Sequence, residues 1–234
     1  MRSTLPILVS LILCLSCGAQ AASLRVAVAA NFAATAKLIA DDFESTTGTP
    51  VALSVASTGV LVTQILHGAP FDIFLAADSE GPALLAARGK ALGESQVCYA
   101  LGKLVLLGAT LDSIGGNDAR IAIANPATAP YGRAAQEVLS RDSQSPASRQ
   151  HLLRGSNVLQ AYQFWIAGGA DQALVAASLA GDEGVPVPAD WHSPIEQHAI
   201  MVSERHPAAG AFMTFLSASS AAATITDAGY RECS

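Results

Sequence analysis

Between Leu24 and Arg88 the chain alternates three times between a short apolar run of strand length and a longer run of helical pattern, with only a few residues in each connection. Leu24–Ala30, Val51–Val55 and Phe71–Ala76 read as strands, and 32–45, 60–67 and 79–88 as helices. In the first helix Phe32, Ala36, Ile39, Ala40 and Phe43 share one face. Strand and helix in strict alternation force parallel strands covered by helices, because a parallel neighbour can be reached only by crossing over the sheet. The pattern restarts further on, with strands expected at 99–107, 120–124, 151–153 and 172–177. Helices are expected at 131–140, 158–167 and 208–216, an extended run at 198–203, and a short helix before Gly229. Two α/β units in one chain follow, with crossings expected near Tyr99 and His198. The divisions are then 22–98 for the first part of one lobe, 99–197 for the other, and 198–234 for the return.

The first 21 residues stand outside this scheme. A basic start at Arg2, an apolar stretch Leu5–Leu15 and small residues through Ala19-Gln20-Ala21 read as a cleavable signal peptide, too short in its core to span a bilayer. A lipid anchor on Cys17 is the weaker reading, because Cys14 occupies a position where such signals carry leucine. Export places Cys98 and Cys233 in an oxidising compartment, where they can pair. Spacing alone leaves a bridge and two separate thiols both open.

Charge narrows the partners. Thirteen Lys plus Arg face nineteen Asp plus Glu, so the chain lacks the basic surface that phosphate backbones require, and nucleic acid is not expected. No nucleophile elbow, zinc-protease motif, P-loop or dinucleotide fingerprint occurs. His192 and His198 lie in and after a Pro-bearing segment without a carboxylate cluster, a poor metal pattern. The pairs Asp41-Asp42 and Asp182-Glu183 read as solvated surface. A secreted hydrolase with Ser57 as nucleophile and one of the five histidines as base remains as an alternative of another class.

One feature does recur. Ala30-Asn31-Phe32, Ser57-Thr58-Gly59 and Pro130-Tyr131-Gly132 each sit where a strand or loop enters a helix. Free N–H groups and the positive end of the helix dipole bind anions there without lysine or arginine. Asn, Ser and Thr add side-chain donors, and Gly59 and Gly132 are expected to let the backbone approach an anion. Ordinary capping is the alternative at each position. Arg133 reads as an exposed helix-surface arginine.

The same residues carry a resemblance. Ala27-Val-Ala-Ala-Asn-Phe32, Ala56-Ser-Thr-Gly59 and His67-Gly-Ala-Pro-Phe-Asp-Ile-Phe-Leu-Ala-Ala-Asp78 resemble the periplasmic molybdate-binding proteins of ABC transporters. Gly102-Lys-Leu-Val-Leu106, Ile123-Ala-Asn-Pro-Ala-Thr-Ala-Pro-Tyr-Gly132 and Gly155-Ser-Asn-Val158 continue it in order. The resemblance implies a type II periplasmic-binding fold, two α/β lobes joined by two crossover strands with the ligand in the cleft. It implies capture of molybdate, and of tungstate, for a membrane permease, by a monomer without catalysis or further cofactor. The oxyanion contacts it implies are Asn31 with Ala30, Thr58 with its neighbour Ser57, Tyr131 and its helix-start amide, and the Val158 amide. Ala176 departs from members that place a tyrosine hydroxyl after a late strand. Sulfate, phosphate, a phosphonate or another small acid on the same fold is the alternative ligand.

Overall fold

The computed structural model describes residues 22–141 and 151–233; the signal-peptide reading lies outside them. Two five-stranded sheets organise the chain. The first contains β1 (Leu24–Ala29), β2 (Val51–Ala56), β3 (Ile73–Ala76), β4 (Val97–Gly102) and β10 (Ile195–Met201). Its order is β2-β1-β3-β10-β4, with β1 parallel to β2 and β3, and β10 antiparallel to β3 and β4. The second contains β5 (Leu104–Leu107), β6 (Ile121–Ala124), β7 (Leu152–Gly155), β8 (Gln172–Ala176) and β9 (Val185–Pro186), ordered β7-β6-β8-β5-β9. There β6 is parallel to β7 and β8, and β5 is antiparallel to β8 and β9. Each lobe therefore repeats one plan, three parallel strands extended by antiparallel ones.

Helices cover both faces of the first sheet, which is why β1 is buried almost throughout. Leu24, Val26 and Val28 face α1 (Ala33–Thr47), α7 (Ala209–Leu216) and α8 (Ser219–Asp227), where they pack with Ile39, Phe43 and Phe212. Ala27 points to the other face, toward Leu61 and Ile65 of α2 (Thr58–Leu66) and Leu85 of α3 (Glu80–Ala87). The period of two along the strand sorts large residues to one layer and alanine to the closer one. Asp72, fully buried at the start of β3, accepts from the Arg25 main chain at 2.9 Å and from its guanidinium, which fixes the register of β1 against β3. In the second lobe α4 (Pro130–Leu139), α5 (Val158–Ile166) and the short α6 (Ala177–Ala180) close over β6 and β8.

The run 99–107, expected as one strand, is two. The chain leaves the first sheet after Gly102 and enters the second at Leu104, with Lys103 between them. It returns through the segment after β9 and rejoins the first sheet at Ile195. Tyr99 and His198, the expected crossing points, both lie inside strands of the first sheet, so the lobes divide a few residues away from those positions. An apolar run carries no mark of a change of sheet: β5 is buried throughout and β4 is half-buried at Tyr99 and Leu101, so both halves call for apolar residues. Cys98 and Cys233 form a disulfide across 135 residues of sequence, and Leu101 and Arg231 pair through both main-chain bonds, at 2.7 and 3.0 Å. The C-terminal tail is thereby fastened beside the crossover strand.

Candidate ligand site between the lobes

The first turns of four helices converge where the lobes meet. A small cavity, about 10 Å³ in volume, is lined by Ala29, Ala30, Asn31, Ser57, Thr58 and Ala77 from the first lobe, and by Ala129, Pro130, Tyr131, Asn157 and Val158 from the second. All six sequence-derived positions (Ala30, Asn31, Ser57, Thr58, Tyr131 and Val158) are brought together here, each at most 4% exposed.

Their local chemistry follows from position. Thr58 and Val158 open α2 and α5, Tyr131 is the second residue of α4 behind Pro130, and Asn31 lies in the short turn that leads into α1. Amides at these places have no intrahelical acceptor. The N–H groups of Asn31, Thr58, Tyr131 and Val158 find no other acceptor among the described residues. The Ser57 hydroxyl is buried without a partner; that of Tyr131 is unpartnered too, but lies against Gly102, outside the cavity lining. Buried orphan donors are costly, so several lining one cavity mark a place for an acceptor. Tyr131 is the only residue with an ionisable side chain in the lining. Burial raises its phenol well above the ordinary value of 10, so it stays neutral and can donate. The larger groove alongside, about 270 Å³, carries Asp78, Glu80, Glu137 and Glu196 against the single cation Arg133 and suits an anion poorly.

Several expectations change in detail. The Thr58 hydroxyl accepts from the Ala77 N–H at 3.0 Å, which braces α2 against β3 and leaves its own proton uncommitted among the described residues, beside the unpartnered Ser57 hydroxyl. Asn31 was expected to add a side-chain donor. Its Nδ2 instead donates to Gln197 Oε1 at 2.7 Å and to the Tyr230 hydroxyl at 3.0 Å, which uses both protons. Gln197 is oriented by its own bond to the Ile195 carbonyl at 3.1 Å, and it lies at a bulge in β10. What Asn31 leaves free toward the cavity is its main-chain N–H.

Gly59 does not approach the cavity either. Its N–H donates across the cleft to the Thr128 carbonyl at 2.8 Å, and a Cβ there would lie 3.1 Å from Thr128 Cα and O. Gly132 serves helix packing, since a Cβ would collide with the backbone of Ala124 and Asn125. Arg133 is not a free surface arginine: its Nη2 lies 2.8 Å from Asp78 Oδ2 on the opposite lobe. Two further contacts cross the junction: Ser178 Oγ donates to the Asn31 carbonyl at 2.9 Å and accepts from the Tyr230 hydroxyl at 3.0 Å. Sequence reasoning missed Gln197, Tyr230, Ser178 and Thr128. Each meets its partner from far along the chain. Ser57 Oγ has no histidine within bonding distance, and among the described residues no cluster of three metal-ligating side chains occurs.

Two lobes closing on a donor-lined cavity define a binding protein that takes its ligand between domains. The chain belongs to the bacterial extracellular solute-binding protein family, whose profile matches residues 24–231. It is 40% identical over 233 residues to the molybdate-binding protein ModA of Azotobacter vinelandii, covering 92% of each chain. It is 36% identical to ModA of Rhodobacter capsulatus, covering 94% of this chain and 93% of that one. A solved structure of the Azotobacter vinelandii periplasmic molybdate-binding protein superposes with a TM-score of 0.83 at 33% identity, covering 91% of this chain and all of the other.

Proposed function

We propose that this protein is a periplasmic binding protein that captures molybdate, and tungstate with it, and delivers the anion to the permease of an ABC importer. The observation that carries the reading is the cavity between the lobes, lined by unpartnered amides and the Ser57 hydroxyl and by no carboxylate. A fully deprotonated tetrahedral dianion only accepts hydrogen bonds, and donors alone satisfy it. Each such bond to a charged group contributes about 1.5–3 kcal/mol. A protonated anion such as hydrogen phosphate would need an acceptor opposite its O–H, and the lining offers no acidic side chain for that purpose. The relatives named for molybdate support the same choice.

In this reading the Asn31, Thr58, Tyr131 and Val158 amides and the Ser57 hydroxyl hold the oxyanion, and the protein binds without catalysing. Closure would bring the Tyr131 and Val158 amides of one lobe onto an anion already resting on Asn31 and Ser57 of the other.

Thermal unfolding in molybdate, tungstate, sulfate and phosphate tests the proposal. A ligand at 100 times its dissociation constant adds about 2.7 kcal/mol, or roughly 5–10 °C for a chain of this size. A rise with molybdate and tungstate alone is expected. No response to molybdate, or an equal response to sulfate, overturns it.

A further inference from the structure

Tyr230 belongs to no motif, yet it grips the first-lobe loop from behind. Its ring packs edge-on against Phe32 at 5.4 Å, and its hydroxyl lies 2.8 Å from the Asn31 carbonyl while accepting from Asn31 Nδ2. It is 3% exposed and does not line the cavity. The tail that bears it is held to the first lobe by the Leu101–Arg231 pairing and by the Cys98–Cys233 bridge. On its other side stands Ser178, from the second lobe.

We infer that Tyr230 is a positioning residue of the ligand site, which sets Asn31 for the anion and offers Ser178 a docking point that exists only when the lobes are closed. The inference rests on the reading of the cleft as the oxyanion site. Three oxygens form the contact: the Asn31 carbonyl, the Tyr230 hydroxyl and Ser178 Oγ, separated by 2.8, 2.9 and 3.0 Å. Two protons serve three edges, and the carbonyl, with two lone pairs, can accept both. Tyr230 and Asn31 are on the same lobe, so their bonds persist when the cleft opens. Ser178 departs with the second lobe and loses both contacts at once. The closed state therefore gains a buried polar contact next to the Asn31 main chain, and the loop presents the same geometry to each incoming anion. Removing the phenol oxygen leaves one Asn31 Nδ2 proton buried without an acceptor and removes half of the docking point.

The test is anion binding to wild type, Tyr230→Phe, Ser178→Ala and the double variant, by titration calorimetry with molybdate and by stopped-flow release. Loss of a buried hydrogen-bond partner predicts a rise in Kd of roughly 5- to 30-fold for Tyr230→Phe, carried by faster release. Ser178→Ala is expected to move Kd in the same direction, and the double variant to show less than the product of the two effects. A merely structural role would instead lower the melting temperature of the unliganded protein and leave Kd and the release rate unchanged, which overturns the inference. Should Tyr230→Phe fail to fold, Ser178→Ala with wild-type Kd overturns it alone. If wild type itself fails to bind molybdate, the ligand reading falls first. The interlobe distance distribution of the ligand-free protein, measured with spin labels on each lobe, then decides. Fewer closed molecules in both variants support the docking role, and unchanged distributions sink it.

Discussion

Gly59 and Thr128 stand on opposite lobes, and the amide of the first is bonded to the carbonyl of the second at 2.8 Å. The contact is main chain to main chain, so it measures how closely two backbones approach when the cleft is shut. A side chain at position 59 would be wedged into that approach. Gly59→Ala is expected to weaken molybdate binding at least several-fold while the melting temperature of the unliganded protein changes little, because the clash exists only in the closed form. Calorimetric titration beside thermal unfolding separates the two. Unchanged affinity would mean that the lobes do not need this approach to hold the ligand.

Ser57→Ala should dissociate binding from stability in the opposite way to a core substitution. Its hydroxyl is buried and has no hydrogen-bond partner. Its removal is expected to leave the unliganded fold neutral or slightly more stable, while affinity falls by about 1.5–3 kcal/mol, the worth of a hydrogen bond to a charged group. A loss of stability with intact affinity would place that hydroxyl outside the shell.

Arg133 and Asp78 pair across the cleft mouth with the arginine 41% and the carboxylate 14% exposed. Pairs this open to solvent are worth about 0.2–1 kcal/mol. Arg133→Ala is expected to raise Kd by that amount, roughly 1.4- to 5-fold, and the difference from wild type should shrink in high salt. An effect insensitive to salt would argue for a role other than the ion pair.

The Cys98–Cys233 bridge closes a loop of 135 residues, a length for which loss of a native disulfide costs about 2–5 kcal/mol. Reduction should lower the melting temperature by roughly 5–15 °C. An unchanged melting temperature, with thiol labelling confirming reduction, would count against the bridge as a stabilising element.

Alkali should act through buried phenols. Burial raises Tyr99 and Tyr131 well above 10 and pushes Tyr230 up to about 12, the Ser178 and Asn31 hydrogen bonds pulling it partly back. Each folded-state value lies above the unfolded one, so the stabilisation is complete below pH 10 and is lost as the pH climbs from there toward 12. Tyrosinate absorbance is expected to rise in step with unfolding above pH 10. These phenols ionising in the folded protein at pH 10 would contradict the packing.

Much of the scaffold could be read in advance because its signals are local. The apolar run of β1, the apolar face of α1 and the entries into helices at Ser57-Thr58-Gly59 and Pro130-Tyr131-Gly132 all lie within a few residues of their cause. What escaped notice depends on residues that meet from afar. Tyr230 reaches Asn31 across 199 positions, and Gln197 reaches it across 166. Nothing near either residue announces the other. Glycine misled for a related reason. A missing side chain signals that something comes close, and in Gly59 and Gly132 it was protein backbone, which looks no different in sequence from an approaching anion. The break at Lys103 was hidden because the half-buried β4 before it and the buried β5 after it are both built from apolar residues.

The free donors at the cavity are mostly amides of the peptide chain itself, at Asn31, Thr58, Tyr131 and Val158. Only proline removes an amide proton, so nearly every point change at these codons would leave the donor in place. Such a pocket is robust to genetic drift in a way that a pocket of lysines is not. For the same reason it resists retuning: a lineage seeking a different anion must shift the helices that carry the amides, by insertion or altered packing, rather than exchange one side chain for another.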